Sequence, residues 1–306
     1  MATSDRRTTF VFLLGTGRCG SSLLHEVIAR HPEVGFVSNL DDRLRGRWNP
    51  AWNGPVYRRT PVARTRKGRL RFAPSEGYRV LDRQVSRAVS VPVRDLVAAD
   101  ATPWLAERFR GFFERQARRQ GAPVFVHKFT GWPRAGFVQE VFPDARFIHV
   151  IRDGRAVASS LLQMPWWRGY EGTEAWGWGP LPGAYQQEWE ASGRSFPVLA
   201  ALEWKLLMDT FEQARSRVAP ERWVDVRYED LVQDPRGVTE GLLEQIGLNW
   251  TPGFERTFQR FSFAGGRVDA FRQDLLPGDV VAIERVLADR LEELGYVQPD
   301  AGSRSA

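Results

Sequence analysis

The sequence is poor in the residues that most often announce chemistry: 306 residues hold one cysteine, four histidines and three lysines. The lone Cys19 has no internal partner, which excludes an intrachain disulfide framework and fits a reducing cytoplasm. Four scattered histidines and one cysteine give no zinc-like spacing, so no metal is expected. Long apolar runs are missing too, since nothing approaches the roughly 18 to 20 residues of a membrane span. The polar start MATSDRRTTF and the short apolar stretch FVFLLG argue against a signal peptide.

What remains is the composition of an ordinary globular chain, 42% hydrophobic and 26% charged, with a net charge of +6. Of 43 basic residues only Lys67, Lys128 and Lys205 are lysines. Arginine in excess favours anionic ligands, because the guanidinium fork matches phosphate and sulfate. The run from Arg58 to Arg71, RRTPVARTRKGRLR, has the charge to grip a nucleic acid. It lacks a recognisable nucleic-acid-binding motif, so a solvated loop or the rim of an anionic-substrate site is expected and no nucleic-acid partner is.

Short apolar runs alternate with helical patterns, which predicts an α/β fold with a central parallel sheet flanked by helices. Strands are expected at Phe10–Leu14, Val34–Val37, Pro123–His127, Arg146–Ile151 and Trp223–Val226. Helices are expected over Ser21–Arg30, Trp104–Arg119, Pro133–Val141, Arg155–Leu162, Pro197–Val218 and Pro277–Leu294, with two more ending near Ile246. Two irregular insertions interrupt this pattern. One, from about 39 to 101, is rich in Arg, Pro, Gly and Trp. The other, from about 164 to 190, carries Trp166, Trp167, Trp176, Trp178 and Trp189. Neither reads as a linker. We expect a single domain over 1–298 with two cap insertions, then a disordered tail at 299–306.

The most informative segment follows the first strand: Gly15-Thr16-Gly17-Arg18-Cys19-Gly20-Ser21-Ser22, opening a helix. Glycines let backbone N–H groups converge on an anion, and the helix adds its positive end. The spacing Gly15-x4-Gly20 fits the nucleotide-binding P-loop, but Ser21 stands where that loop has lysine. Nucleoside triphosphate chemistry relies on the lysine and on Mg²⁺. A sulfuryl group carries less negative charge than a phosphoryl group, so a metal-free site with a cationic side chain suffices, and Arg18 offers one. The plain alternative is a glycine-rich turn that only caps a helix. Cys19 reads as a small loop residue rather than a reactive thiol.

A second strand–turn–helix unit, FIHVIRDGRAVASS, ends on Ser160. It puts Arg152 at the carboxyl end of a predicted strand, where open α/β sheets bind ligands. Ser160 lies about two helical turns on. Together the two segments resemble the sulfotransferase family that uses 3′-phosphoadenosine 5′-phosphosulfate (PAPS), and RCGSSLLHEVIARHPEV is similar to its tyrosylprotein and bacterial branches. The resemblance implies that Gly17, Arg18, Cys19, Gly20, Ser21 and Ser22 form the 5′-phosphosulfate loop. It likewise implies that Arg152 and Ser160 hold the 3′-phosphate. Tyr228-Glu-Asp-Leu resembles the family's segment whose tyrosine lies near the nucleotide, and Gly265-Gly-Arg-Val-Asp resembles its late loop over the cofactor.

Lys128, placed just after a predicted strand, matches a lysine the family keeps. Its implied role is to hydrogen-bond the bridging oxygen between phosphate and sulfate, where charge grows in the transition state. A base is also wanted near the acceptor. Tyrosylprotein enzymes use a glutamate at the position of Asn39, and cytosolic relatives use a histidine at that of Thr130. Neither residue here is a base. Asp42 and Asp41 are therefore the expected bases, ahead of His127, which strand alternation turns to the other face. His25 and His149 read as packed structural residues.

The acceptor is expected to be a small molecule, a carbohydrate or a peptide bearing a hydroxyl or amine. The tryptophan-rich insertion either stacks against it or packs onto its own domain. Two alternatives remain: a small-molecule kinase with an unusual P-loop, and a non-catalytic nucleotide-binding protein.

Overall fold

The computed structural model describes residues 7–61 and 72–297. Most of the basic run and the terminal tail therefore lie outside the described residues. By internal contacts the chain divides into two compact units, 1–151 with 210–263, and 152–209 with 264–306.

The first unit is built on a parallel sheet of five strands among the described residues. They are β1 (Thr9–Gly15), β2 (Val34–Gly35), β3 (Val124–Thr130), β4 (Arg146–Ile151) and β5 (Trp223–Arg227), in the spatial order β2-β3-β1-β4-β5. Central β1 reads as an unbroken apolar run because both of its faces are covered. The pleat sorts its side chains. Val11 and Leu13, with Val124, Val126, Ile148 and Val150, pack against helix α1 (Ser21–Ile28) and the helices after β5. Phe12 points the other way, into a cluster of rings that includes Phe109, Phe113 and Phe129. Each large apolar side chain so buried contributes about 1.5–3 kcal/mol. In register, Gly15 lies level with Thr130 of β3 and Val150 of β4, so three strands end together beneath the first loop.

Between β2 and β3 the expected irregular cap carries several short helices among the described residues. These are α2 (Asn39–Arg43), α3 (Asn53–Arg59), α4 (Tyr78–Gln84) and α5 (Arg87–Ser90), followed by the long α6 (Pro103–Gln120). Their aromatic residues do find a floor, since buried Tyr57 and Phe72 pack with Phe36. Helix α7 (Ala135–Val141) precedes β4. The second unit begins directly after β4 with α8 (Gly154–Leu162), then α9 (Gly183–Ala191) and α10 (Phe196–Arg215), whose last turn and a half returns to the first unit. After β5 the first unit continues through α11 (Tyr228–Gln233), α12 (Pro235–Gln245) and α13 (Pro252–Phe258). Helices α14 (Phe271–Asp274) and α15 (Pro277–Glu293) belong to the second unit.

Two boundaries differ from the sequence expectation in ways that matter. β2 is only two residues long, because Phe36 and Val37 leave the ladder to pack the cap. β3 runs on to Thr130, so Lys128 lies inside the strand rather than after it. A charged residue ends an apolar run in sequence. It need not end the backbone ladder, which is blind to the side chain when that side chain finds polar partners. Among the described residues no helix is long and apolar enough to cross a membrane.

Candidate active site

The loop after β1 is strained in a way that suits anion binding. Gly17 and Gly20 have φ of 88° and 94°, and Arg18 between them has φ of 55°. A left-handed conformation costs a non-glycine residue about 1–2 kcal/mol, and successive N–H groups in such turns form anion-binding nests. Gly20 is the N-cap of α1, with no side chain capping the helix and no acid in its first turn. The helix thus offers its positive end uncapped, whereas a Ser or Asp cap would close it. The Arg18 side chain is exposed and Cys19 is fully buried, so Cys19 serves as a packed small residue. Glycine is required at the cap by a close neighbour, since a Cβ on Gly20 would fall on the ring of Tyr228. Tyr228, at the start of α11, therefore lies against the loop.

Lys128 shares strand parity with Val124 and Val126 and so faces α1. Its Nζ is 2.7 Å from Ser22 Oγ and 2.6 Å from Glu76 Oε1. Only 5% of its side chain is exposed, against 29% for Glu76. Thr130 Oγ1 also donates to Glu76 Oε1, at 3.2 Å, and the Thr130 N–H donates to the Tyr78 hydroxyl. Burial alone would raise the Glu76 carboxyl, but the charge and hydrogen bond of Lys128 outweigh it and hold the group at about 2. Buried His25, hydrogen-bonded to the Val126 backbone, is pushed down to about 3 by burial and by the lysine's charge. It is neutral at any working pH. Glu76 was not among the residues the sequence pointed to. It sits 52 residues before Lys128 in a segment without periodicity, and no local signal joins the two.

The aspartates singled out in the sequence both accept hydrogen bonds within the first unit. Asp41 Oδ2 accepts from Ser38 N and Oγ and from Asn53 Nδ2, each at 2.7 Å, closing a capping box on α2. It is buried, and burial raises its carboxyl above the usual range. Asp42 Oδ1 accepts from the Val80 N–H at 2.8 Å, tying α2 to α4. His127 is fully buried among Phe12, Phe113 and Phe129, on the sheet face opposite Lys128. His149 stacks on Phe211 at 4.0 Å with Nδ1 3.0 Å from Asp225 Oδ1, a packed residue as expected.

The second unit carries the other motif. Arg152 is the residue after β4, and its Nη2 donates to the Arg267 carbonyl at 2.8 Å. That carbonyl belongs to the Gly265–Asp269 segment, so the two family-like stretches of this unit meet. Arg155 has a structural task. It pairs with Asp153 and with Glu284, each at 2.7 Å, and lies over the Phe271 ring, fastening α8 to α14 and α15. Ser160 is half-exposed in the second turn of α8. Most of the insertion's tryptophans pack inward: Trp167, Trp176 and Trp189 are buried, and only Trp166 is largely exposed. Buried Glu203 on α10 accepts from Trp167 Nε1 at 2.8 Å and from the Trp178 indole.

Against known proteins, residues 11–252 match the model of the sulfotransferase family. The chain belongs to the sulfotransferase family. Among curated proteins it resembles the omega-hydroxy-beta-dihydromenaquinone-9 sulfotransferase Stf3 of Mycobacterium bovis and of Mycobacterium tuberculosis. Identity is 26% over 151 residues, which is 47% of this chain and 34% of each relative. The match thus spans about a third of the length of those relatives. Among solved structures, sulfotransferase STF9 from Mycobacterium avium superposes with a TM-score of 0.58 at 18% identity, covering 94% of this chain and 76% of that one. STF1 from Mycobacterium tuberculosis gives 0.53 at 17%, covering 92% and 77%. These likenesses establish the fold, a parallel sheet with a phosphate-type first loop. Family membership goes against the kinase alternative, in line with the missing loop lysine. The family's sulfuryl donor is PAPS, and the uncapped, left-handed loop beside a buried lysine fits its 5′-phosphosulfate end. Among the described residues no group of three or more His, Cys, Asp or Glu side chains is placed to hold a metal ion.

Proposed function

We propose that this chain transfers a sulfuryl group from PAPS to a hydroxyl of a small organic acceptor, with Glu76 as the base. The observation that carries the reading is the Lys128 ammonium, buried beside Ser22 in the first turn of the loop helix and ion-paired to Glu76. The loop amides and Arg18 hold the 5′-phosphosulfate, and Arg152 with Ser160 takes the 3′-phosphate. The acceptor oxygen attacks sulfur in line. The bond from sulfur to the bridging oxygen breaks, Lys128 donates to that oxygen, and the acceptor proton passes to Glu76. The products are a sulfate ester and adenosine 3′,5′-bisphosphate.

The ion pair couples these roles. While Lys128 is bound to Glu76 the carboxylate is a poor base, held at about 2. Drawing the ammonium toward the bridging oxygen removes that hold and leaves burial to raise the group, so base strength grows as the donor settles. Asp41 and Asp42 keep their structural hydrogen bonds throughout. The curated relatives are named for a hydroxylated dihydromenaquinone, which supports a hydroxyl-bearing small molecule over a peptide or glycan. The lone buried Cys19 supports a cytoplasmic setting.

Calorimetry tests the reading: adenosine 3′,5′-bisphosphate against ATP, with and without Mg²⁺, on the wild type and on Arg152→Ala. Metal-independent preference for the bisphosphate, weakened at least tenfold in the variant, is expected, followed by turnover of labelled PAPS with hydroxyl acceptors. Tighter binding of ATP with Mg²⁺, indifferent to Arg152, would sink it. Bisphosphate binding without turnover of any acceptor tried would favour a binding protein.

A further inference from the structure

The amino ends of the sheet hold a cavity that the proposed reaction does not use. It has a volume of about 870 Å³ and lies in the first unit, bordered by the first residues of β1 and β4, the approach to β5, and α6. It is open to solvent on one side. β1 runs seven residues from Thr9 to Gly15, so at about 3.3 Å per residue the cavity is roughly 20 Å from the phosphate loop.

Its lining combines an excess of positive charge with an apolar floor. Arg7, Arg110, Arg118, Arg146 and Arg222 reach it, against Glu114, Asp144 and Glu221. Among the described residues only Arg222 has a carboxylate partner, the exposed Asp144 at 3.2 Å. Arg110 spends one N–H on the Val141 carbonyl, at 2.9 Å, which positions its guanidinium without neutralising it. Arg110 and Arg118 stand two turns apart on α6 and so share one face. The rings of Phe10 and Phe142, with centroids 4.3 Å apart and planes tilted by 31°, also line it. Guanidinium groups left without carboxylates around a concave, ring-floored space of this size form the pattern of a small-ligand pocket that selects oxyanions.

We propose that this cavity binds an amphipathic organic anion, with an oxyanion head on the arginine rim and a flat apolar body over Phe10 and Phe142. A bare inorganic anion uses only the rim, and a neutral apolar molecule only the floor. The site stands apart from the phosphate loop, so occupancy there and occupancy by adenosine 3′,5′-bisphosphate are independent events.

The probe is 8-anilinonaphthalene-1-sulfonate, an aromatic sulfonate whose fluorescence rises on an apolar floor, titrated against the full chain. Saturable binding at one site is expected, unchanged by saturating adenosine 3′,5′-bisphosphate, and weakened at least tenfold by Arg118→Glu with Arg146→Gln. Inorganic sulfate should compete at least a hundredfold less well than the probe. Arg118 is exposed, so the single Arg118→Glu variant keeps the fold and should by itself weaken binding several-fold, with near-ultraviolet circular dichroism unchanged. Displacement of the probe by the bisphosphate would overturn the proposal by assigning the probe to the phosphate loop. Indifference to both arginine substitutions, or equal competition by sulfate, would overturn it as well.

Discussion

Glu203 supplies the sharpest test of how the tryptophan-rich insertion is held. Its carboxyl is 1% exposed, and burial raises it from 4.5 to about 7, with the hydrogen bonds from Trp167 and Trp178 opposing the rise. No charged side chain contributes. The folded state therefore holds this proton more tightly than the unfolded chain, where the group titrates at its ordinary value. Stability from Glu203 is fully present below about pH 4.5, falls as pH rises toward 7, and is flat above it. At about 1.4 kcal/mol per tenfold change in proton affinity, the loss between pH 5 and pH 8 is about 2.5 kcal/mol.

Glu203→Gln cannot ionise and keeps an oxygen for the Trp167 indole. The variant carries its own offset, because its amide must be buried, but that offset does not change with pH. The difference in unfolding free energy between variant and wild type should therefore move by about 2.5 kcal/mol in the variant's favour from pH 5 to pH 8. Urea titrations followed by tryptophan fluorescence at four pH values measure it. A difference that stays constant within 0.5 kcal/mol or so would show that the carboxyl titrates normally and that the latch is not buried as described.

Three further outcomes concern the proposed site. Glu76→Gln should lower kcat by about 10²–10⁴, the usual weight of a general base, while adenosine 3′,5′-bisphosphate affinity changes by less than about threefold; an undiminished kcat places the base elsewhere. Gly20→Ala adds a Cβ at φ 94° against the Tyr228 ring, and should weaken bisphosphate binding at least tenfold, about 1.4 kcal/mol. The double variant with Tyr228→Ala should recover part of that loss if the ring is the obstacle, and none if the backbone alone is. Lys128→Arg should lose turnover nearly as fully as Lys128→Ala, and retention of half the activity would show that charge alone suffices there.

What the sequence showed and what it hid divide along one physical line. The strand–loop–helix around Gly15–Ser22 and the segment around Arg152 were legible because their signals are local: apolar runs, glycine spacing and a helix start within fifteen residues. The turn of His127 away from Lys128 was legible for the same reason, since alternation along a strand is a local rule. The Lys128–Glu76 pair was not. It depends on how a capless loop before α4 folds back over β3, and Ser-Glu-Gly-Tyr reads as any polar turn. The acidic pair Asp41-Asp42 stood out by composition, and nothing in the sequence signalled that Asp41 caps its own short helix and Asp42 holds the next one. The inward packing of Trp167, Trp176 and Trp189 was open in the sequence for a like reason, because a tryptophan's partner is set by tertiary contact.

A lysine at position 128 makes physical sense in a chain that otherwise uses arginine almost everywhere. The slot between α1 and the Glu76 loop leaves 5% of the side chain exposed, so every donor brought into it must find an acceptor or lose hydration. An ammonium has three N–H donors and a guanidinium five. Ser22 and Glu76 satisfy two of the lysine's three, and the third reaches for the bridging oxygen of the donor as the ammonium begins to leave the carboxylate. An arginine would bring at least two surplus donors and a planar group into a space shaped for a point charge. The compact ammonium also moves by rotation of a flexible stem, so it can pass from carboxylate to leaving oxygen without displacing its neighbours. Both demands, few donors and short travel, select lysine, and they also explain why the counter-charge is a partly exposed glutamate. A fully buried partner would hold the ammonium too tightly to release it.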